Sequence, residues 1–147
     1  MEKNLIAPCG VNCAVCAAYL AGKYEVRCGN IKTSYCEGCR PRNKQCAFIK
    51  KRCPHGLLEG KIEFCFKCRD FPCENLKKLD KRYRDNFRTS LIENLTFIRD
   101  EGIQPFLQSE EIKWRCLECG GVISCHNAVC YSCHPEKLGG KRQYHWE

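Results

Sequence analysis

Apolar residues recur at helical spacing in three stretches of the second half of the chain. They predict a helix near 74–83, a longer helix at about 89–101 and a short one at about 104–113. We expect these helices to supply most of the apolar packing and to connect the two ends of the chain. The apolar positions on them are Leu91, Leu95 and Ile98 on the second helix and Phe106, Leu107 and Ile112 on the third.

Another helix is predicted close to the N-terminus. Asn12 is a good N-cap, and helix-favouring residues follow it over 13–21. Cys13 and Cys16 are three positions apart, so they share one face in the first turn, where the helix dipole favours a thiolate. Between 24 and 61 the chain has no such periodicity and is interrupted by glycines and prolines. We expect metal ligation to fold this segment.

The high cysteine content shows that helix packing alone does not account for the stability of this chain. The 147 residues include sixteen cysteines, eleven of them between positions 9 and 73 and five between 116 and 133. The hydrophobic share of 44% includes these cysteines, so the other apolar residues make up only roughly a third of the chain. A chain this poor in apolar side chains usually needs disulfides or metal ions for stability.

The expected compartment decides between disulfides and metal ions. The N-terminus lacks the apolar run of a secretory signal, and no apolar stretch approaches the roughly 20 residues of a membrane span. We therefore expect a cytoplasmic protein without a membrane segment. Thiols stay reduced in the cytoplasm, where paired cysteines indicate metal ligands.

The clearest local motif is a pair of Cys-x-x-Cys knuckles near the C-terminus. Cys116 and Cys119 form the first knuckle and Cys130 and Cys133 the second, with ten residues between them. Four thiolates in this arrangement close a tetrahedron around a metal ion, and a glycine after the first knuckle suits its tight turn. The pattern is typical of a zinc ribbon, although iron also fits tetrahedral sulfur.

Spacing in the larger cysteine cluster allows two or three further metal sites. Our interpretation places two further Cys-x-x-Cys knuckles around one metal ion and four other cysteines around a second metal ion. Three cysteines and a histidine remain as ligands of a third metal ion. Because connectivity does not follow from spacing, other pairings stay open. The first group is Cys36, Cys39, Cys65 and Cys68; the second is Cys9, Cys13, Cys16 and Cys73; the third is Cys28, Cys46, Cys53 and His55.

Three stretches carry a family resemblance: Ala7–Tyr19 with its Ala-Pro-Cys-Gly-Val-Asn-Cys start, Cys36–Cys39, and Cys65–Leu76. With them the chain resembles, over about residues 5–100, the domain of unknown function 3795 family of small cysteine-rich bacterial and archaeal proteins. Members with a ribbon after the helices also look like 116–133. The resemblance implies metal binding, but no particular reaction or partner.

The net charge of +8 does not by itself indicate a nucleic-acid partner. A zinc site with four thiolates carries a charge of about −2, so three such sites would bring the total to roughly +2. The basic residues thus largely offset the charge of the metal centres. Nucleic-acid binding therefore remains only a second alternative function.

These patterns together predict a small α + irregular protein stabilised by two to four zinc ions per chain. We divide it into a cysteine-rich loop/helix module at 1–75, a helical connector at 76–113, a zinc-ribbon-like knuckle pair at 114–136 and a flexible tail at 137–147. Its expected role is that of a non-catalytic interaction or adaptor module with a protein partner.

An iron–sulfur redox protein or enzyme is the first alternative. Cys9, Cys13 and Cys16 have the spacing found in radical S-adenosylmethionine enzymes. Those enzymes build their site on a barrel of about 250 residues, and this chain is much shorter. Cys125 and His126 lie between the C-terminal knuckles and are interpreted as ordinary loop residues.

Overall fold

The computed structural model describes residues 1–26, 35–42, 52–57 and 59–138. In these ranges the chain forms α-helices and short 3-10 helices, and extended pairing is limited there to isolated β-bridges. This confirms the predicted class, a small protein of helices and irregular segments. None of the helices in the described ranges is both long and apolar enough to span a bilayer. The α-helices are α1 (Ala17–Lys23), α2 (Cys39–Arg42), α3 (Glu74–Phe87), α4 (Leu91–Glu101) and α5 (Ile103–Lys113); the 3-10 helices are Lys3–Leu5, Cys13–Val15, Cys65–Lys67 and Pro135–Leu138.

The helix predicted near the N-terminus is interrupted at Cys16. The residues before it form a 3-10 helix, and the Asn12 side chain caps that helix by accepting an amide hydrogen bond of 3.0 Å. Cys16 is extended, with ψ of 134°, and α1 begins at the next residue. The amide of Ala17 donates to Nδ1 of His126 at 3.1 Å, rather than to a carbonyl of the preceding turn. A side chain 109 positions later in the sequence therefore satisfies the amide at this break.

The later helices lie where the periodicity places them, with shifted ends. α3 continues beyond its predicted end until Arg88, which has a left-handed backbone with φ of 52°. α4 begins at Leu91, because the hydroxyl of Ser90 accepts the amide of Glu93 at 3.1 Å and caps the helix there. The short helix α2 lies in a segment for which the sequence predicts no helix.

Ile112 does not share the packing of the other apolar positions on α5. Its neighbours on α5, Phe106 and Leu107, are buried as predicted, but Ile112 is 78% exposed. The helix turns by about 100° per residue, so a position five residues after Leu107 points away from the core face. Ile112 is instead on the surface of α5, four residues before the first C-terminal knuckle in the sequence.

One apolar core joins the cysteine-rich segment to the helices. Leu91 and Leu95 of α4 are fully buried in a cluster that also contains Ile6, Val11 and Leu76. This packing crosses the predicted boundary between residues 75 and 76. The division of the chain into domains stays a prediction.

A second apolar cluster attaches the C-terminal segment to α1. Leu20 and Ala21 of α1 pack there with Val129, Tyr131 and Leu138, all of them buried. Leu138 falls in the stretch predicted to be a flexible tail, and it is 4% exposed. Residues 139–147 of that stretch lie outside the described residues.

Asp80 fixes the junction between α3 and α4. Its buried carboxylate accepts hydrogen bonds from the hydroxyl of Ser90 at 2.7 Å, the amide of Ile92 at 3.0 Å and the guanidinium of Arg84 at 2.8 Å. Burial opposes the charge, but these hydrogen bonds outweigh it and lower the pKa of Asp80. The carboxylate thus holds the first turn of α4 against α3.

We expect Asp80→Ala to lower the free energy of unfolding by about 2–3 kcal/mol, because it leaves the buried hydroxyl of Ser90 and the partly buried amide of Ile92 without an acceptor. Urea unfolding followed by circular dichroism measures this loss. The lowered pKa means that the carboxylate stabilises the fold above pH of about 4, and that this contribution is lost as the pH falls through the folded-state pKa. The difference between the wild type and the variant should therefore shrink in acid.

Asp85→Ala is the matched control on the same helix. Asp85 is exposed and pairs with Lys81, so its removal should change the free energy of unfolding by less than about 0.5 kcal/mol. Equal losses in the two variants would show that Asp80 has no special role at the junction.

Candidate metal centres

Four sulfur atoms meet near the C-terminus and form what we call the C-terminal sulfur cluster. Sγ of Cys116 is 3.7 Å from Sγ of Cys133, and Sγ of Cys119 is 3.6 Å from Sγ of Cys130. All four atoms lie within 4.8 Å of one another. Tetrahedral ligands at the usual zinc–sulfur distance of about 2.3 Å are about 3.8 Å apart, so these sulfurs fit around a single ion.

Short backbone turns hold the first knuckle of this cluster. The amide of Cys116 donates to the carbonyl of Gly121 at 2.7 Å, and the amide of Gly120 donates to the carbonyl of Cys116 at 2.9 Å. Gly120 has φ of +73°, a conformation that favours glycine. The amide of Gly121 also donates to Sγ of Cys119 at 3.3 Å. The turn therefore places the two sulfurs and supports one of them with a donor.

The four cysteines of the cluster can all be thiolates only when a cation lies between them. The backbone amides of Cys119 and Glu118 lower the pKa of the Cys116 thiol to about 7, so one thiolate forms readily. Burial raises the pKa of Cys130, and burial together with the neighbouring sulfurs raises that of Cys133. Four thiolates side by side need a positive charge between them, which a divalent metal ion supplies.

A second group of four cysteines lines a cavity of about 420 Å³, which we call the first cysteine cavity. The amide of Cys39 donates to Sγ of Cys13 at 3.4 Å, which joins two cysteine pairs that are distant in the sequence. Sγ of Cys36 accepts the amide of Gly38 at 3.4 Å and the guanidinium of Arg42 at 3.2 Å. The four cysteines on this cavity are Cys13, Cys16, Cys36 and Cys39.

His126 lies on the wall of the first cysteine cavity, which the sequence interpretation missed. Its ring packs edge-on against Phe87, with centroids 4.5 Å apart, and Nδ1 accepts the amide of Ala17. Burial, helped by the charge of Arg82, lowers the pKa of His126 to about 4, so the ring is neutral. The neighbouring Cys125 is also buried, which raises the pKa of its thiol. The Cys-His pair between two knuckles was the sequence signal for this site.

A third group of cysteines lines a smaller cavity of about 160 Å³, the second cysteine cavity. Burial and the nearby thiols, with Cys9 the strongest neighbour, raise the pKa of Cys65. Nε2 of His55 lies 2.5 Å from a carboxylate oxygen of Asp70, and both are within 4.8 Å of the sulfur of Cys68. The four cysteines on this cavity are Cys53, Cys65, Cys68 and Cys73.

The structure corrects the pairing that spacing suggested for the larger cluster. Knuckles 36–39 and 65–68 line different cavities, and each is completed by cysteines from other segments. The amide of Cys36 donates to the carbonyl of Ala18 at 3.1 Å, which docks the first knuckle on α1, whereas the amide of Cys65 donates to the carbonyl of Pro8 at 2.8 Å. These backbone contacts attach the two knuckles to different segments of the chain.

The remaining predicted ligands lie in different parts of the chain. Cys9 is buried in the core near Cys65, and His55 lies on the second cysteine cavity with Cys53. Cys28 and Cys46 lie outside the described residues.

The described cysteines form no disulfides. All fourteen cysteines in the described ranges are free thiols. The sulfur pairs of the C-terminal cluster, 3.6 and 3.7 Å apart, are far beyond the roughly 2.05 Å of a disulfide bond. The clusters therefore present thiol donors to a metal ion instead of covalent cross-links.

The fold and the sulfur groups define a small cysteine-rich protein of helices and irregular segments, with clusters suited to hold metal ions. The family model described as Protein of unknown function (DUF3795) matches residues 5–78, and the chain belongs to this family. The matched stretch contains the cysteines of both cavities and ends before the C-terminal sulfur cluster, which is consistent with a zinc-ribbon-like extension. No curated protein and no solved structure matches the chain.

Proposed function

We propose that the protein is a non-catalytic zinc protein in which the C-terminal sulfur cluster holds one structural zinc ion. The observation that carries this proposal is the spacing of the four sulfurs, 3.6 and 3.7 Å in the two measured pairs. Structural zinc sites use four protein ligands, whereas catalytic sites keep one position open for water or substrate. Four cysteines leave no such position.

Two further groups of cysteines extend the proposal to three metal centres per chain, within the expected range of two to four. The negative charge of such centres offsets much of the net charge of +8, which argues against a nucleic-acid partner. Metal-bound thiolates also need a reducing environment, so we place the protein in the cytoplasm.

An interaction role is supported by two exposed aliphatic side chains, one within the first knuckle and one four residues before it. Leu117 lies between the two cysteines of the first knuckle and is 96% exposed. Ile112, near the end of α5, is 78% exposed. A zinc ion would fix the turn that carries Leu117, so this side chain would be presented on a rigid support to a protein partner with an apolar surface.

The zinc content of the purified protein tests the proposal. We expect Cys119→Ser to remove about one zinc ion per chain, because a tetrahedral site with three sulfurs binds the ion much more weakly. Cys119 is exposed, so the change should disturb packing little. Native mass spectrometry together with elemental analysis measures the number of ions directly.

Cys125→Ala is the matched control, because it removes a buried sulfur of the same segment that is not part of the C-terminal sulfur cluster. This variant should keep the wild-type zinc content. An unchanged zinc content in Cys119→Ser, or a wild-type protein without zinc, would refute the proposal.

A further inference from the structure

The three cysteine groups do not share one geometry. In the C-terminal sulfur cluster the four sulfurs lie within 4.8 Å of one another, as ligands of a single ion must. Among the other cysteines in the described ranges, no three sulfurs approach one another that closely. The four cysteines of the first cysteine cavity therefore surround a space and do not converge on a point.

The size of that space fits a polynuclear centre. The first cysteine cavity has a volume of about 420 Å³, compared with about 160 Å³ for the second. A single zinc ion reaches only about 2.3 Å to each sulfur, so its ligands lie about 3.8 Å apart, and the cysteines of this cavity do not converge in that way. Iron–sulfur clusters are also held by four cysteine thiolates, and their inorganic core separates those thiolates.

The cavity wall supplies what such a cluster needs. Amides donate to Sγ of Cys13 and Sγ of Cys36 at 3.4 Å, and the guanidinium of Arg42 donates to Sγ of Cys36 at 3.2 Å. Hydrogen bonds and positive charge at the cysteine sulfurs stabilise a negatively charged cluster and set its reduction potential. Phe87 and Leu79 add apolar side chains to the wall on the α3 side.

From this geometry we propose that Cys13, Cys16, Cys36 and Cys39 ligate an iron–sulfur cluster in the first cysteine cavity. The site differs from the Cys9/Cys13/Cys16 arrangement that spacing alone indicates, because Cys9 is buried near Cys65 and the second pair of ligands comes from 36–39. The inference goes beyond the zinc proposal and does not rest on it. Zinc content reports on the C-terminal sulfur cluster, whereas iron and sulfide report on the first cysteine cavity.

Metal and sulfide analysis of the 147-residue chain, purified without oxygen, tests the proposal first. We expect iron and acid-labile sulfide in equal amounts, a broad visible absorption band, and zinc in addition. Zinc as the only metal, with no iron bound even after incubation with ferrous iron and sulfide, overturns the assignment.

Two cysteine variants locate the cluster. Cys36→Ser should lower iron and sulfide severalfold and leave the zinc of the C-terminal sulfur cluster in place, whereas Cys119→Ser should lower zinc and leave iron and sulfide unchanged. Iron that is lost in Cys68→Ser but retained in Cys36→Ser would place the cluster in the second cysteine cavity and overturn the assignment.

Arg42→Gln tests the site without removing a ligand, so it remains informative if Cys36→Ser fails to fold. It removes the positive donor to Sγ of Cys36. The iron content should be unchanged, and the reduction potential should become more negative because the reduced cluster loses stabilisation. Lys77→Gln, on the exposed face of α3, is the control and should leave the potential unchanged. Equal potentials in wild type and Arg42→Gln would count against Cys36 as a ligand.

Discussion

Loss of zinc from the C-terminal sulfur cluster is expected to open residues 114–134 while α3 and α4 keep their structure. The first knuckle is held by short-range backbone bonds, such as that from the amide of Cys116 to the carbonyl of Gly121. The binding free energy of structural zinc in small modules is about 10–16 kcal/mol, which matches or exceeds the whole stability of a typical domain, about 5–15 kcal/mol. Without the ion, the two knuckles keep only isolated backbone bridges and the apolar contacts with α1.

Amide hydrogen exchange on Cys119→Ser, compared with the wild type, measures this effect. Protection should fall by orders of magnitude at 114–134 and also decrease in α1, because Val129 and Tyr131 pack against Leu20. Leu117→Ser changes an exposed side chain of the same knuckle and should exchange like the wild type. Wild-type protection at 114–134 in a Cys119→Ser protein that has lost its zinc would show that the ion is not structural.

The C-terminal sulfur cluster was predictable because its geometry is local. Both knuckles lie between 116 and 133, and each is shaped by turns of a few residues. The two cysteine cavities depend on contacts between distant segments. The amide of Cys39 meets Sγ of Cys13, which is 26 positions earlier, and no spacing rule contains that contact. The sequence shows which cysteines are candidate metal ligands, but it does not show which of them lie in the same site.

The contrast between local and long-range contacts also explains which helices were predicted correctly. The stripe of Leu91, Leu95 and Ile98 predicted α4 correctly, since all three are buried in the core. The break at Cys16 was missed because it involves an amide of Ala17 that donates to His126, far away in the sequence. Local preference favoured a continuous helix, and a tertiary hydrogen bond replaced its first bonds.

Gly10→Ala is expected to be among the most destabilising single substitutions in the protein. Gly10 lies in the turn before Cys13, with φ of +88°, and its carbonyl accepts the side-chain amide of Asn94 at 2.9 Å. A Cβ at this position would lie 2.6 Å from the carbonyl oxygen of Leu91 and 3.0 Å from Cγ of Leu95. A left-handed alanine costs about 1–2 kcal/mol and overpacking a further 1–3 kcal/mol, so we expect a total loss of about 2–5 kcal/mol.

Gly60→Ala separates the two causes. Gly60 has a similar φ of +72°, but nothing lies within 4 Å of a Cβ built there, so its substitution should cost only the backbone term of about 1–2 kcal/mol. Denaturant unfolding of both variants measures the difference, and equal losses would show that contact with α4 is unimportant.

If the contact matters, Gly10→Ala should also reduce metal binding by the first cysteine cavity, because the turn that meets α4 leads directly to Cys13. The apolar core would then determine the position of a metal ligand that the sequence places in a cysteine motif.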